Sequence, residues 1–226
     1  MAVQKETYLE IKEQLDASGV RLIAVSKTKP VADILELYEL GQRDFGENYV
    51  QELVEKQPLL PKDINWHFIG HLQRNKVKYI APFVHLIHGV DSYELLQEIA
   101  RQGAKNNRTI PVLLQVHIAE EETKFGLDET GVRQLIADLA DKPLTHIVVN
   151  GFMGMASYTG DAEKIKTEFQ ALHELFKKYQ PLKTSTISIA ELSMGMSGDY
   201  KLAVKMGSTM VRIGSLFFGA RTAANG

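Results

Sequence analysis

The sequence predicts an α/β protein with a single closed (β/α)8 barrel, or TIM barrel, preceded by an extra N-terminal helix. Eight short apolar segments alternate along the chain with longer amphipathic ones. The 226 residues divided by eight give about 28 residues per unit, the size of a compact βα repeat. Several of the apolar segments have no polar alternation, which is typical of strands covered on both faces. An open doubly wound sheet shows the same alternation and stays as the alternative fold.

The elements follow in chain order from their local patterns. A helix is predicted over residues 3–17, where Leu9, Ile11 and Leu15 form an apolar stripe, and Gly19 marks its end. The predicted strands are Arg21–Ser26, Asp44–Glu47, Trp66–Ile69, Leu86–Val90, Pro111–Ile118, Ile147–Phe152, Thr184–Ile189 and Met210–Gly214. The predicted helices between them include Val31–Leu40, Tyr93–Arg101, Gly131–Ala140 and Asp161–Tyr179. Eight such units in sequence favour closure into a barrel.

Composition places the chain in the class of ordinary globular proteins. One domain over residues 1–226 is expected, with the helix in 1–19 and the barrel in 20–220, because no Pro/Gly-rich linker divides it. The 26 basic and 28 acidic residues argue against binding to nucleic acid or to an anionic membrane. Cysteine is absent, which excludes disulfide, thiolate and iron–sulfur chemistry. Without an export signal or a long apolar stretch, a cytoplasmic protein is expected, and a monomer is expected because no long exposed apolar stripe is apparent.

A lysine follows directly from the first predicted strand. In a parallel barrel, functional groups lie at the carboxyl ends of the strands, and the chain there reads Ala24-Val25-Ser26-Lys27-Thr28-Lys29. Partial desolvation at a barrel mouth lowers the pKa of a lysine and makes its amine a nucleophile toward an aldehyde. The alternative is a lysine that begins a solvated loop. The alternation of side chains along a strand does not show which of Lys27 and Lys29 faces the barrel mouth, since residues two positions apart point to the same side.

The last two predicted strands add groups that suit a phosphate and a heterocycle. Small and hydroxyl residues follow the seventh strand in Ser193–Tyr200 and end the eighth in Gly214-Ser215, where many such barrels bind phosphate. Neither a Walker A loop nor a GxGxxG turn is present. Arg212, inside an apolar strand, needs either a buried carboxylate or a ring nitrogen of a ligand as its partner. An amine, a phosphate site and a ring-nitrogen donor together are what pyridoxal 5′-phosphate (PLP) requires.

Five ordered segments carry a resemblance to a known family. They are AVSKTKP at 24–30, FGENYVQE at 45–52, WHFIGHLQRNK at 66–76, LSMGMSGDY at 192–200 and VRIGSLFFG at 211–219. In these segments the chain resembles the PLP homeostasis protein family, also called the YggS or PROSC family. The resemblance covers about residues 20–220, nearly the whole chain. It implies the fold-type III architecture of PLP proteins, similar to the N-terminal barrel domain of alanine racemase.

The resemblance also implies roles for individual residues. Lys27 is expected to hold PLP as a Schiff base, the internal aldimine, and Arg212 to face the pyridine nitrogen. The phosphate is expected on serine and glycine residues after the last two strands: Ser193, Ser197, Gly214 and Ser215. Other expected neighbours of the cofactor lie at further strand ends: Asn48, His67, Gly70, Met153 and Met155. Phe125 with Lys124 and Gly126 is a candidate lid segment, and no metal site is expected.

The predicted function is PLP binding for intracellular PLP homeostasis, by buffering or delivery of the cofactor to PLP-dependent apoenzymes, with little or no catalysis. Alanine racemase takes a second acid/base group from an additional β-domain, for which this chain has no room after its eighth unit. A permanent cation at the ring nitrogen also weakens the electron sink. One alternative is a weak amino-acid racemase or another PLP-dependent enzyme that uses Tyr49, Tyr158 or His67. Another is a barrel for a different phosphorylated metabolite.

Overall fold

The chain folds as a closed barrel of eight parallel strands that follow one another around the barrel in chain order. The computed structural model describes residues 3–119 and 125–219. Each strand pairs with the next along the chain, and the last strand closes the barrel by pairing with the first. The predicted barrel is therefore confirmed, and the open doubly wound sheet is excluded. None of the helices in the described ranges combines the length and apolar character needed to cross a bilayer.

Strands and helices alternate as the periodicity predicts. The strands are β1 Arg21–Val25, β2 Asp44–Glu47, β3 Asn65–Phe68, β4 Leu86–Val90, β5 Ile110–Val116, β6 Ile147–Gly154, β7 Ile187–Met196 and β8 Met210–Ile213. The helices are α1 Lys5–Ala17, α2 Val31–Glu39, α3 Val50–Lys56, α4 Val77–Ile80, α5 Tyr93–Lys105, α6 Glu129–Asp141, α7 Ala162–Tyr179, α8 Tyr200–Lys205 and α9 Ser215–Phe218. Apart from β7, the boundaries lie close to those predicted; α5, for example, ends at Lys105 instead of Arg101.

Alternation along the strands produces two apolar layers. One set of strand side chains faces the surrounding helices and forms the main core with them. The other set fills the barrel interior with a small apolar cluster made by Ile23, Leu86, Leu113, Met153 and Met210. The barrel is therefore a packed core with no open channel, and ligands have access only at its ends.

The seventh strand lies further along the chain than predicted. The prediction ended it at Ile189, before a run of small residues, whereas β7 continues to Met196. Leu192 and Met194 are buried in the helix-facing layer, so the residue between them, Ser193, faces the barrel interior. The expected position of Ser193 in a loop after the strand is therefore wrong. A serine is tolerated inside the barrel because its hydroxyl has hydrogen-bond partners there.

The N-terminal helix packs against the end of the barrel sequence. Tyr8 of α1 makes an edge-to-face contact with Phe217 of α9, with ring centroids 5.5 Å apart. The Tyr8 hydroxyl donates a hydrogen bond to Gln42 at 3.2 Å, and burial is the main reason that its pKa is raised to about 12. The amide of Gln4 donates to the Phe217 carbonyl at 2.8 Å. This docking holds α9, which directly follows β8, against the body of the protein.

Candidate functional site

The carboxyl ends of β1 and β8 bring the predicted lysine and the predicted phosphate loop side by side. Residues of β1 pair with β8 in the register Ile23 with Arg212 and Ala24 with Ile213. Gly214 continues from β8 so close to β1 that an added Cβ would lie 2.8 Å from the carbonyl oxygen of Val25. Barrel closure therefore joins, at one mouth, groups that are almost 190 residues apart in sequence.

The loop that carries Lys27 is held in place by a polar cluster that consists of Ser26, Glu47, Glu52 and Lys56. Ser26 is fully buried, and its hydroxyl donates to Glu47 at 2.6 Å. Lys56 of α3 donates to the Ser26 carbonyl and to the Glu47 carboxylate, both at 2.8 Å. Thr28 has a left-handed backbone with φ of 63°, and its amide donates to the Glu52 carboxylate. Lys27 therefore lies between two residues whose positions are set by hydrogen bonds.

The cluster holds one cation, Lys56, and two carboxylates, of which Glu47 is buried and Glu52 is partly exposed. Burial raises the pKa of Glu47, and the ammonium of Lys56 opposes that shift. Lys56 also pairs with Glu52 at 2.5 Å. The second carboxylate oxygen of Glu47 has no hydrogen-bond partner within the described ranges. A buried pair of this kind is costly to break, because either partner alone would leave an uncompensated charge.

Asn48 has an unpartnered buried oxygen next to this cluster. Its Oδ1 atom is buried and has no hydrogen-bond partner in the described part of the chain. The Asn48 backbone approaches Gly70 so closely that an added Cβ at position 70 would lie 2.2 Å from the Asn48 carbonyl oxygen. Buried amide oxygens are satisfied in the great majority of native proteins. The Asn48 side chain is therefore a candidate acceptor for a ligand donor.

Arg212 is buried and makes its hydrogen bonds to neutral groups. Its Nη1 atom donates to the carbonyl oxygen of Ser193 at 2.9 Å and to the Ser193 hydroxyl at 2.6 Å. Its Nη2 atom donates to the carbonyl oxygen of Gly154 at 3.1 Å. Burial lowers the pKa of Arg212 to about 10, so the guanidinium stays cationic at neutral pH. No carboxylate of residues 3–119 and 125–219 is within ion-pair distance of Arg212. Of the two partners that the sequence suggests for this arginine, the one that remains is a ring nitrogen of a ligand.

The phosphate candidates divide into two groups. The amide of Gly214 lies 3.4 Å from the Ser197 hydroxyl, so Ser197, Gly214 and the adjacent Ser215 lie together at the mouth. The Ser193 hydroxyl, by contrast, is fully buried between Arg212 and His88. The prediction that these serines bind a phosphate stays a prediction, and the geometry favours Ser197 over Ser193.

His67 and Met153 lie deeper than expected. The expected position of His67 at the mouth of the third strand is wrong, because its ring is fully buried inside the barrel and its Nε2 atom lies 2.9 Å from Asp44 at the start of β2. Met153 belongs to the apolar cluster of the barrel interior, with Met155 packed against it nearer the end of β6. Contact of either His67 or Met153 with a cofactor stays a prediction.

Three side chains near the amino end of the barrel have the chemistry of metal ligands. Within the described ranges, the only group of this kind is Asp44, His67 and His85, whose ligand atoms lie within 4.8 Å of one another. The Nε2 atom of His67 is already hydrogen-bonded to Asp44. After the larger effect of burial, the positive charge of Arg21 also lowers the pKa of both imidazoles. Because that charge also repels a metal cation, Asp44 and His67 are assigned to hydrogen bonding with each other.

The candidate lid is described only in part. Lys124 and the acidic residues 120–122 lie outside the described residues. Phe125 stacks on His71 with ring centroids 4.6 Å apart, and its carbonyl accepts a hydrogen bond from Gln115 at 2.8 Å. The proposed lid function of this segment stays a prediction.

Several functional positions gave no local signal in sequence. Lys56 lies on a helix where a lysine normally faces water, and only the fold places it beneath Ser26, 30 residues earlier. Glu47 ends a predicted strand, and the alternation of side chains along that strand did not indicate that its carboxylate would be buried. His88 lies three residues after His85, a spacing that does not indicate a hydrogen-bonded position inside the barrel. The one available signal was the position of His88 inside a strand that is otherwise apolar.

The fold and this mouth define a class of protein. Residues 4–222 match the family model described as the N-terminal domain of alanine racemase. Among solved structures, PipY of Synechococcus elongatus PCC7942 with PLP bound has a TM-score of 0.85 at 35% identity, over 95% of this chain and 99% of PipY. The architecture is thus that of an alanine-racemase-like barrel.

Sequence relatives narrow the class to a family. The chain is 39% identical over 202 residues to the pyridoxal phosphate homeostasis protein of Aquifex aeolicus, covering 89% of this chain and 87% of the relative. It is 42% identical over 208 residues to the protein of the same name from Vibrio alginolyticus, covering 90% and 87%. The chain belongs to the pyridoxal phosphate homeostasis protein family.

Proposed function

We propose that this protein binds PLP reversibly at the carboxyl-terminal mouth of its barrel and contributes to PLP homeostasis by buffering or delivering the cofactor. The observation that carries the proposal is the convergence of the Lys27 loop, Arg212 and the Ser197–Gly214 pair at one mouth. The names of the relatives and the PLP-bound PipY structure support it.

The residues present fit PLP by the chemistry of their donors. PLP, when bound, supplies an aldehyde that condenses with a primary amine, and Lys27 is the amine proposed to hold it. Ser197, with the Gly214 amide and the Ser215 hydroxyl, holds the phosphate. The Asn48 amide oxygen, which has no hydrogen-bond partner among the described residues, accepts a hydrogen bond from the cofactor. Arg212 faces the ring nitrogen as a permanent cation.

The chain's own groups favour binding over catalysis. The Arg212 cation disfavours protonation of a nearby ring nitrogen and so weakens the ring as an electron sink. Of the acid/base candidates, Tyr49 and Tyr158 are exposed to solvent by 56% and 98%, so neither hydroxyl is enclosed away from water. His67 is engaged inside the barrel with Asp44 and His88. A general acid or base acts efficiently only when it is held within reach of the proton it transfers.

An open mouth suits exchange of the cofactor with other proteins. The proposed partners are PLP and PLP-dependent apoenzymes, with the protein acting as a monomer. Reversible binding through a single lysine allows loading from free PLP and release to an acceptor that binds it more tightly. Transfer is measured by mixing the loaded protein with an apoenzyme and following its recovered activity, with free PLP at the same concentration as the control.

The attachment site is tested by chemical trapping. The protein is titrated with PLP, reduced with borohydride and mapped by peptide mass spectrometry. Trapped cofactor is expected on Lys27, and Lys27→Ala is expected to abolish both trapping and the visible absorption of the complex. Cofactor trapped on another lysine, or retained by Lys27→Ala, contradicts the proposal.

The phosphate site is tested with a matched ligand pair. Ser197→Ala is expected to raise the Kd for PLP by about tenfold, since a hydrogen bond to a charged group contributes about 1.5–3 kcal/mol. The Kd for pyridoxal, which lacks the phosphate, is expected to stay unchanged. An equal increase in the Kd values for PLP and pyridoxal would show that Ser197 does not contact the phosphate.

Catalysis is tested by isotope exchange. Deuterium incorporation at Cα of a panel of amino acids is compared for the protein, the Lys27→Ala variant and PLP alone. Rates equal to those with PLP alone are expected. Exchange above that level that disappears in Lys27→Ala would favour the weak racemase instead.

A further inference from the structure

A continuous file of five polar side chains crosses the otherwise apolar interior of the barrel. Arg212 contacts the Ser193 hydroxyl at 2.6 Å, and the same hydroxyl lies 3.0 Å from Nδ1 of His88. Nε2 of His88 lies 3.0 Å from Nδ1 of His67, and Nε2 of His67 lies 2.9 Å from Asp44. The first four members are buried, and Asp44 is partly exposed at the start of β2. Buried polar groups in such a place are costly unless each contact is a hydrogen bond.

The two ends of the file determine the direction of every hydrogen bond in it. A guanidinium only donates, so the Ser193 hydroxyl oxygen must accept from Arg212. An ionised carboxylate only accepts; although burial acts to raise the pKa of Asp44, the hydrogen bond to His67 contributes to its net lowering. His67 therefore donates from Nε2 to Asp44, which leaves its Nδ1 as an acceptor.

The middle of the file follows from these ends. Neutral His67 accepts at Nδ1, so His88 donates to it from Nε2 and accepts at Nδ1. The Ser193 hydroxyl then donates its proton to His88. Burial lowers the pKa of both imidazoles, so neither ring holds a second proton at neutral pH. The opposite direction would leave a bare nitrogen of His67 facing the Asp44 carboxylate, two acceptors in contact.

We propose that His67, His88 and Ser193 are positioning residues that hold the Arg212 guanidinium at the cofactor mouth. A serine hydroxyl rotates freely, and its proton would otherwise compete with Nη1 of Arg212 for the space between them. With His88 as its acceptor, the hydroxyl turns its proton away from Arg212 and presents a lone pair. His67 and Asp44 fix the tautomer of His88, much as an outer carboxylate orients a ligand histidine. The inference rests on the proposed function of Arg212.

The direction of the file is tested in the cofactor-free protein. Long-range 1H–15N NMR of the imidazole rings distinguishes the two neutral tautomers and the cation. Both His67 and His88 are expected as Nε2–H tautomers at neutral pH. A Nδ1–H tautomer or a cation at either residue overturns the proposal. This result is independent of PLP binding, so it stands apart from the test of the proposed function.

The positioning role is tested with two variants whose side chains both branch at Cγ. In His88→Asn the amide oxygen takes the place of Nδ1 and accepts from Ser193, whereas His88→Leu removes the acceptor. His88→Leu is expected to raise the Kd for PLP about tenfold and to shift the visible absorption of the bound cofactor. His88→Asn is expected to stay within about threefold with an unshifted spectrum, as one retained hydrogen bond implies. Wild-type binding and spectrum in His88→Leu, or equal impairment of both variants, overturns the proposal.

A second variant and a control separate positioning from loss of stability. Ser193→Ala removes the hydroxyl without adding volume and is expected to reproduce the spectral shift of His88→Leu, which covers the case in which His88→Leu does not fold. Leu113→Ala creates a cavity in the barrel interior and removes no member of the file. It is expected to lower Tm while leaving the spectrum unshifted at temperatures where it is folded. A spectral shift in Leu113→Ala equal to that of Ser193→Ala overturns the positioning role.

Discussion

The ammonium of Lys29 donates a hydrogen bond to the carbonyl oxygen of Phe218 over 2.7 Å. This contact joins the loop after β1 to the end of α9, 189 residues later. Sequence parity left Lys27 and Lys29 equivalent as candidates for the reactive amine. The structure assigns Lys29 to binding the last carbonyl of α9, a favourable place for a cation at a helix end.

Substitution of Lys29 is expected to affect stability and leave the cofactor attached. Lys29→Met removes a charge-assisted hydrogen bond, so the free energy of unfolding is expected to fall by about 1–2 kcal/mol in urea titrations. Borohydride trapping is expected to retain one PLP on Lys27. Loss of trapped PLP with unchanged stability would reverse the roles given to the two lysines.

Lys56 is expected to be among the most sensitive positions of the barrel. Lys56→Met leaves Glu47 buried and unpaired beneath the Lys27 loop, so a loss of about 3–5 kcal/mol in the free energy of unfolding is expected. Adding Glu47→Leu to this variant is expected to recover most of the loss, since the buried charge is then absent. The exposed Lys62 provides the control, and Lys62→Met is expected to change stability by less than about 0.5 kcal/mol. A double variant as unstable as Lys56→Met alone would contradict this account of the cluster.

Gly70 is expected to tolerate no side chain. A Cβ there would lie 2.2 Å from the Asn48 carbonyl oxygen, a backbone atom that cannot move aside without shifting the loop after β2. Gly70→Ala is therefore expected to cost about 1–3 kcal/mol and to raise the Kd for PLP through displacement of Asn48. Gly160 has open space around its Cβ position, and Gly160→Ala is the matched control with no measurable effect on binding. Equal behaviour of the two variants in urea titrations and PLP binding would contradict the close approach.

Stability is expected to fall as the solution becomes acidic. The pKa of His88 is lowered mainly by burial and further by the positive charges of its neighbours, including Arg212, and the pKa of His67 is lowered by burial. Below the unfolded value of 6.5, the unfolded chain binds protons that the folded barrel does not. The free energy of unfolding therefore decreases as pH falls through that value, by up to about 1.4 kcal/mol per pH unit for each histidine.

Variants assign this pH dependence to the buried histidines. Urea titrations between pH 7 and 5 are expected to show a smaller decrease for His88→Asn than for the wild type, because one of these protons no longer binds. His71→Asn, which changes an imidazole exposed by 47%, is expected to keep the wild-type decrease. An unaltered slope in His88→Asn would place the acid sensitivity elsewhere.

The barrel itself was predictable because its signal is local. Each strand needs only a short apolar segment, and each helix only an apolar stripe at a spacing of three or four, so eight repeats of this pattern indicate a closed βα array. The positions of Lys27, Ser197 and Gly214 after β1, β7 and β8 were also predictable, since the apolar segments end before them. Their contact with a cofactor stays a prediction. The end of β7 was predicted wrongly because small residues that normally end a strand also fit inside a barrel.

The sequence by itself determined the number of strands, the class of ligand its polar groups suit, and which lysines and serines stand at strand ends. Only the tertiary structure decided which of these groups lie at the mouth of the barrel and which form hydrogen bonds with other groups of the protein. Ser193 and His67 turned inward, Lys29 bound the carbonyl of Phe218, and Lys56 came to lie beneath Ser26. The reason is that periodicity reports the environment of one element at a time, whereas the partner of a buried charge is chosen by barrel closure between distant segments.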